Sequence, residues 1–150
     1  MNPNIEILPM NETSAHEAAA LEKICFSSPW SADSLIEALG RADSSFLTAF
    51  VDGEFVGYAG MLCVLDEGQI CNVAVCPAFR RMGVGEALMA AQREAAASRG
   101  VSVMMLEVRA SNTAAQRLYE KMGWEMIGTR KNFYSHPRED AILYNLYLNT

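Results

Sequence analysis

The chain of 150 residues predicts an α/β fold, a mixed sheet carrying helices in the order β-α-α-β-β-β-α-β-α-β-β. Three observations predict it. Asp52-Gly53 lies between two apolar strand-like runs and is a strong hairpin turn signal. The apolar run 70–76 leads through Gly83 and Gly85 into a helical pattern. Residues 101–108 are apolar on both faces, as expected of a central strand covered on both sides.

Taken in order, residues 5–8 read as a first strand, stopped by Pro9. Thr13 or Ser14 caps a helix with Ala18, Leu21, Ile24 and Cys25 on its apolar side, broken by Pro29. Ser31 caps a second, short helix over 32–39, ended by Gly40. Strands over 45–51 and 55–64 flank the hairpin turn, and Asp66-Glu67-Gly68 turns the chain into strand 70–76. The glycine helix carries Val84, Ala87, Leu88, Ala91 and Ala95 on one face and stops near Arg99-Gly100. After strand 101–108, a helix over 112–122 ends at Gly123, with Ala114, Leu118 and Met122 one turn apart as its core stripe. Strands over 124–129 and 141–148 close the chain around a loop through Ser135-His136-Pro137-Arg138. No repeat, low-complexity segment or linker interrupts it, so a single domain over 1–150 is expected.

Composition narrows the function. Hydrophobic residues at 51% and charged residues at 20% exclude a disordered chain. A net charge of −6 without a basic stripe argues against nucleic acid as the main partner, and weakly favours a cationic substrate. No apolar run reaches membrane-spanning length, and the start lacks a basic segment followed by an apolar one. A cytoplasmic protein with no membrane partner, monomeric or weakly dimeric, is expected. Cys25, Cys63, Cys71 and Cys76 lie in apolar runs without metal-type spacing, so they read as buried free thiols. His16 and His136 lack a partner pattern and read as surface or loop residues, so no metal site is expected.

The chemistry starts at Arg80-Arg81-Met82-Gly83-Val84-Gly85. Glycines between a buried strand and a helix let main-chain N–H groups approach an anion, and the helix N-terminus adds partial positive charge. Phosphate or pyrophosphate is the natural ligand. The dinucleotide fingerprint fails because Leu88 stands where its third glycine belongs. The nucleoside-triphosphate loop fails because Glu86 and Ala87 follow Gly85 in place of Lys-Ser/Thr. What remains is Gln/Arg-x-x-Gly-x-Gly/Ala, filled by Arg80, Gly83 and Gly85, which resembles the acyl-CoA pyrophosphate loop of the GNAT N-acetyltransferases. On these residues alone, a helix start with glycines for close packing stays open.

Two side chains extend the reading. Alternation puts Glu107 on one strand face with Val103, Met105 and Arg109. A carboxylate there is either paired, with Arg109 the available cation, or reaches a wet cleft as a general base. Tyr119 lies beside the helix stripe, as a core-edge tyrosine bonded to a carbonyl or as a hydroxyl reaching a cleft. Leu106-Glu107-Val108-Arg109-Ala110-Ser111-Asn112, then Ala115 and Leu118-Tyr119-Glu120-Lys121-Met122-Gly123-Trp124, resemble the signature of the bacterial RimI group. That group acetylates the N-terminal alanine of a small-subunit ribosomal protein. Cys25-Phe26-Ser27-Ser28-Pro29-Trp30-Ser31, and Arg130-Lys131-Asn132-Phe133-Tyr134 with Arg138-Glu139-Asp140-Ala141, resemble further segments of it.

The resemblance implies a GNAT fold with strands 70–76 and 101–108 splayed apart, and acetyl-CoA as co-substrate. It implies that Val73, Ala74 and Val75 offer main-chain groups to the pantetheine and thioester carbonyl. The pyrophosphate is then wrapped by Arg80, Arg81, Met82, Gly83, Val84, Gly85 and Glu86, with Asn112 bonded to the cofactor. Glu107 is the implied general base, and Tyr119 the general acid that also touches the cofactor. Tyr134 is the implied wall of the substrate groove, and Phe133, where a tyrosine is frequent, puts acceptor choice in doubt. Direct transfer to a ribosomal-protein N-terminus is expected, since Cys71 and Cys76 have no histidine nearby to activate them. A lysine, polyamine or other small-amine acceptor, and a non-catalytic acyl-CoA-binding module, are the alternatives.

Overall fold

A computed structural model describes residues 4–148. The elements run β1 (Ile5–Pro9), α1 (Glu12–Cys25), α2 (Ala32–Leu39), β2 (Ser44–Val51), β3 (Glu54–Val64), β4 (Glu67–Val75), a 3-10 turn (Pro77–Phe79), α3 (Val84–Ser98), β5 (Val103–Arg109), α4 (Thr113–Lys121), β6 (Glu125–Tyr134) and β7 (Glu139–Tyr147). The expected order of strands and helices is the observed one. The strands form one seven-stranded sheet, ordered β1-β2-β3-β4-β5-β7-β6. β4 and β5 pair in parallel, and every other neighbouring pair is antiparallel.

Two helical layers cover the sheet. Phe46, Tyr58 and Ala74 pack with α1 and α2 residues such as Ala15, Ala18 and Leu35. On the opposite face, Ala49 and Ala59 pack against Val84 and Leu88 of α3. Met104, Leu106 and Val108 of β5 join Met89, Tyr119 and Trp124 on that same side. The switch from Tyr58 to Ala59 between layers is the period-two alternation of a strand buried on both faces.

Several boundaries move for physical reasons. α1 is capped by Asn11, whose side chain accepts from Ser14 N, while Ser14 Oγ accepts from Asn11 N. Ser14 thus completes a capping box in place of being the cap, and Thr13 lies inside the helix. The buried side of α1 carries Ala18, Leu21 and Glu22, while Ile24 is exposed. The turn into β4 falls at Leu65 and Asp66, so Glu67 and Gly68 belong to the strand. Against the expected 70–76 and 101–108, the strands are Glu67–Val75 and Val103–Arg109.

α3 buries Val84, Leu88, Met89, Gln92 and Ala96, a stripe rotated from the expected one. Gln92 is tolerated because Nε2 donates to the carbonyls of Ser45 and Ala59, and Oε1 accepts from Ser45 Oγ. β6 runs on to Tyr134, five residues past the expected 129, as a strand with mostly exposed side chains. Its polar 130–132 stretch gives no apolar alternation to read.

Candidate active site

The sheet splits at its parallel seam. β4 pairs with β5 only through Glu67, Gln69 and the intervening Gly68, opposite Val103–Met105. It stays paired with β3 as far as Val75, and β5 stays paired with β7 along its whole length. From residue 70 onward, the β5-facing edge of β4 therefore has no strand partner. One extra residue starts the divergence: Gly60 pairs with Asn72 and Met61 with Ile70, leaving Cys71 bulged.

Asn72 is then tied outward to α1. Its Nδ2 donates to Glu22 Oε2 at 3.1 Å, the same oxygen accepts from Tyr58 Oη, and Oε1 accepts from Trp30 N at 2.9 Å. Glu22 is wholly inaccessible to solvent. Burial raises its pKa, and the Tyr58, Trp30 and Asn72 donors oppose that rise. Sequence reasoning missed this carboxylate, although its place four residues after Ala18 on the buried side of α1 is a signal that could have found it.

Beside the gap lies a cleft of ≈ 1130 Å³, lined mainly by the glycine loop, α3 and α4 and also by Cys25 and Phe26 at the end of α1. Val73, Ala74 and Val75, the run from Arg80 to Glu86, Asn112 and Tyr119 all line it. Arg81 (φ 64) and Gly83 (φ 87) adopt the left-handed conformation at its rim. Gly83 is the N-cap of α3 with no side-chain cap bond, leaving first-turn N–H groups free for an anion. Gly85 serves packing instead. A Cβ there would lie 3.3 Å from Leu118 Cδ2, so its absence permits α3 to approach α4. The close-packing alternative for the glycines thus applies to Gly85.

The charged rim is organised. Arg80 Nε donates to the Val75 carbonyl at 3.3 Å, turning its guanidinium along the cleft wall. Glu86 would oppose an anion, but its carboxylate is paired with Lys121 Nζ at 3.0 Å. Asn112 Oδ1 caps α4 by accepting from Ala115 N at 3.2 Å, which leaves its Nδ2 without a partner among the described residues.

Tyr119 is central to the α4 core, not beside it. It is 7% exposed and packs against Trp124 and Tyr144, while Ala114 of the expected stripe is exposed. Its hydroxyl makes no hydrogen bond among the described residues, yet no buried side-chain polar atom there lacks a partner. The Oη atom is therefore accessible, and the cleft it lines provides the access. Burial pushes the phenol up to about 12. It stays protonated, a donor, at neutral pH.

Glu107 does not pair with Arg109. Arg109 Nη1 bonds Glu139 Oε1 at 3.1 Å, and its guanidinium lies 4.4 Å from the centre of the Tyr134 ring. Arg109 also donates to the carbonyls of Ser135 and Pro137, while Glu139 accepts from Ser111 N. These bonds fasten the 135–138 loop to β5. Glu107 itself accepts from Gln69 Nε2 at 3.1 Å. It points to the face opposite Leu106 and Val108 and is not among the cleft-lining residues. Tyr134, pushed up to about 12 by burial and by the Glu107 charge, stands on that same side. Glu107 and Tyr134 thus lie on the sheet face opposite Tyr119, across the unpaired edge of β4.

The four thiols are free and half-buried. Burial pushes Cys71 up to about 11 and also raises Cys76, which removes the thiolate a nucleophile needs. Exposed His16 and His136 stand outside the site. Among the described residues no three His, Cys, Asp or Glu side chains are placed to hold a metal, and no helix is long and apolar enough to cross a membrane.

The acetyltransferase (GNAT) family model matches residues 15–124. The chain is 36% identical over 143 residues to the [ribosomal protein bS18]-alanine N-acetyltransferase of Escherichia coli, covering 93% of this chain and 95% of that one. It is 37% identical over 123 residues to the protein of the same description from Haemophilus ducreyi, covering 80% and 84%. The crystal structure of the ribosomal-protein-S18-alanine N-acetyltransferase from Escherichia coli superposes with a TM-score of 0.88 at 32% identity, covering 98% and 96%. With its split seam, glycine loop and family match, the chain belongs to the acetyltransferase (GNAT) family.

Proposed function

We propose that this protein transfers the acetyl group of acetyl-CoA to the N-terminal α-amine of a ribosomal protein that begins with alanine. One observation carries the reading. A gap in the sheet has an anion-binding helix start and an accessible phenol on one side, and a carboxylate on the other. The relatives in Escherichia coli and Haemophilus ducreyi, described as alanine N-acetyltransferases, support the choice of acceptor.

Bound acetyl-CoA supplies an activated acetyl thioester. The residues present fit it: the N–H groups after Gly83 and the Arg80 and Arg81 guanidinium groups suit a pyrophosphate, and the unpaired edge at 73–75 suits an amide-bearing arm. A main-chain N–H on that edge also suits the oxyanion of the attacked carbonyl. Glu107 takes the proton of the incoming α-ammonium, whose pKa of about 7.7–8.0 makes its removal undemanding at neutral pH. Tyr119 donates to the departing thiolate as the C–S bond breaks. No cysteine carries the acyl group, because burial keeps Cys71 and Cys76 as thiols.

Activity on a panel of amines tests the acceptor. With acetyl-CoA, a peptide that begins with alanine and copies the ribosomal protein's terminus is expected to exceed a free lysine side chain or a polyamine by at least about tenfold in kcat/KM. Preference for lysine or polyamine overturns the α-amine assignment. Binding of acetyl-CoA without turnover of any acceptor would make the protein a sensor.

A further inference from the structure

Gln69 is the last β4 residue still paired to β5, opposite Met105. Its side chain crosses the seam where the strands begin to part, and Nε2 donates to Glu107 Oε2 at 3.1 Å and to the Ile70 carbonyl at 3.3 Å. Glu107 Oε1 has no hydrogen-bond partner among the described residues. Since no buried side-chain polar atom lacks a partner there, Oε1 is open to solvent. One carboxylate oxygen is held and the other is free.

We propose that Gln69 is a positioning residue for the acetyl transfer, orienting the Glu107 carboxylate across the strand gap so that Oε1 faces the acceptor amine. This rests on the reading of Glu107 as the general base and names what aims it. A catalytic base on one strand needs a fixed partner, because a free carboxyl rotor spends most of its time away from the reacting proton. Arg109, the cation nearest in sequence, is committed to Glu139, so Gln69 fills that place.

The other groups facing Glu107 do not compete. The Cys71 thiol on β4, pushed up to about 11, and the Tyr134 phenol on β6, pushed up to about 12, are neutral in the working range. Arg109 on β5 is paired with Glu139. Glu139 on β7 is held below the usual carboxylate range by the Ser111 hydrogen bonds and by Arg109.

Gln69→Glu keeps the shape of the side chain but replaces the donor with a carboxylate. With one Ala-starting peptide throughout, kcat at neutral pH is expected to fall roughly 10–100-fold. The acidic limb of the kcat/KM profile moves to higher pH, because a like charge disfavours ionised Glu107. Acetyl-CoA affinity, measured by calorimetry, stays at the wild-type value. Gln69→Leu, which removes the donor without adding charge, is expected to lower kcat about tenfold, and it decides the matter if Gln69→Glu does not fold. Wild-type kcat and pH profile in the folded variants overturn the assignment of Gln69, as does loss of acetyl-CoA binding in step with kcat. If Glu107→Gln retains turnover, the reading of Glu107 fails instead, whatever the Gln69 variants do.

Discussion

Glu107→Gln is expected to lower kcat by about 10²–10⁴-fold with acetyl-CoA affinity close to wild type, as measured by steady-state assay and calorimetry. The substitution preserves the shape and still offers an oxygen to Gln69 Nε2, so β5 and its seven register pairs with β7 lose nothing. It removes only the ability to take a proton. Because Glu107 is not among the residues lining the cleft beside the glycine loop, acetyl-CoA binding in that cleft is expected not to respond. The acceptor must still shed its proton, and a higher pH restores part of the rate by supplying neutral amine from solution. Parallel loss of turnover and cofactor affinity would make Glu107 a structural carboxylate.

Tyr119→Phe carries the second large effect, a fall in kcat of roughly 10²–10⁴-fold. The ring is buried against Trp124 and Tyr144, so phenylalanine retains the packing that tyrosine provides. Only the accessible hydroxyl is lost. With its pKa near 12 the phenol is a weaker acid than an ordinary thiol at about 8.5, so it works by sharing its proton while negative charge grows on sulfur. An acetyl thioester of a more acidic thiol needs that help less, and is expected to narrow the gap between variant and wild type. An unchanged deficit with such a substrate would assign Tyr119 to binding.

Legibility in the sequence follows the range of the interactions. Asp52-Gly53 announces its hairpin because both residues adopt positive φ, which aspartate and glycine favour locally. Ser31 and Gly40 bound α2 for equally local reasons. The turn at Leu65 is different: a leucine at φ 56 is 92% exposed, and no propensity points to it. α1 begins earlier than expected because two polar residues satisfy each other, a reciprocal arrangement that single-residue capping preference does not reveal.

The site divides the same way. The glycine loop, Glu107 and Tyr119 are legible from motif and resemblance, and the structure puts the loop and Tyr119 in one cleft. The partners that organise them are distant in sequence. Glu22 meets Asn72 across 50 positions, Gln69 meets Glu107 across 38, and Arg109 finds Glu139 across 30. A pairing of Arg109 with Glu107 follows from strand alternation alone. β7 supplies a better acceptor for Arg109, which frees Glu107.

The most direct measurement is a crystal structure of the protein with CoA and an Ala-starting peptide. The account predicts the pantetheine arm along residues 73–75 in the opening beside β5, sulfur within hydrogen-bond reach of Tyr119 Oη, and the peptide's amine approaching Glu107 from the opposite face of the sheet. CoA bound away from that opening, or an acceptor amine entering on the Tyr119 side with Glu107 out of reach, would contradict it.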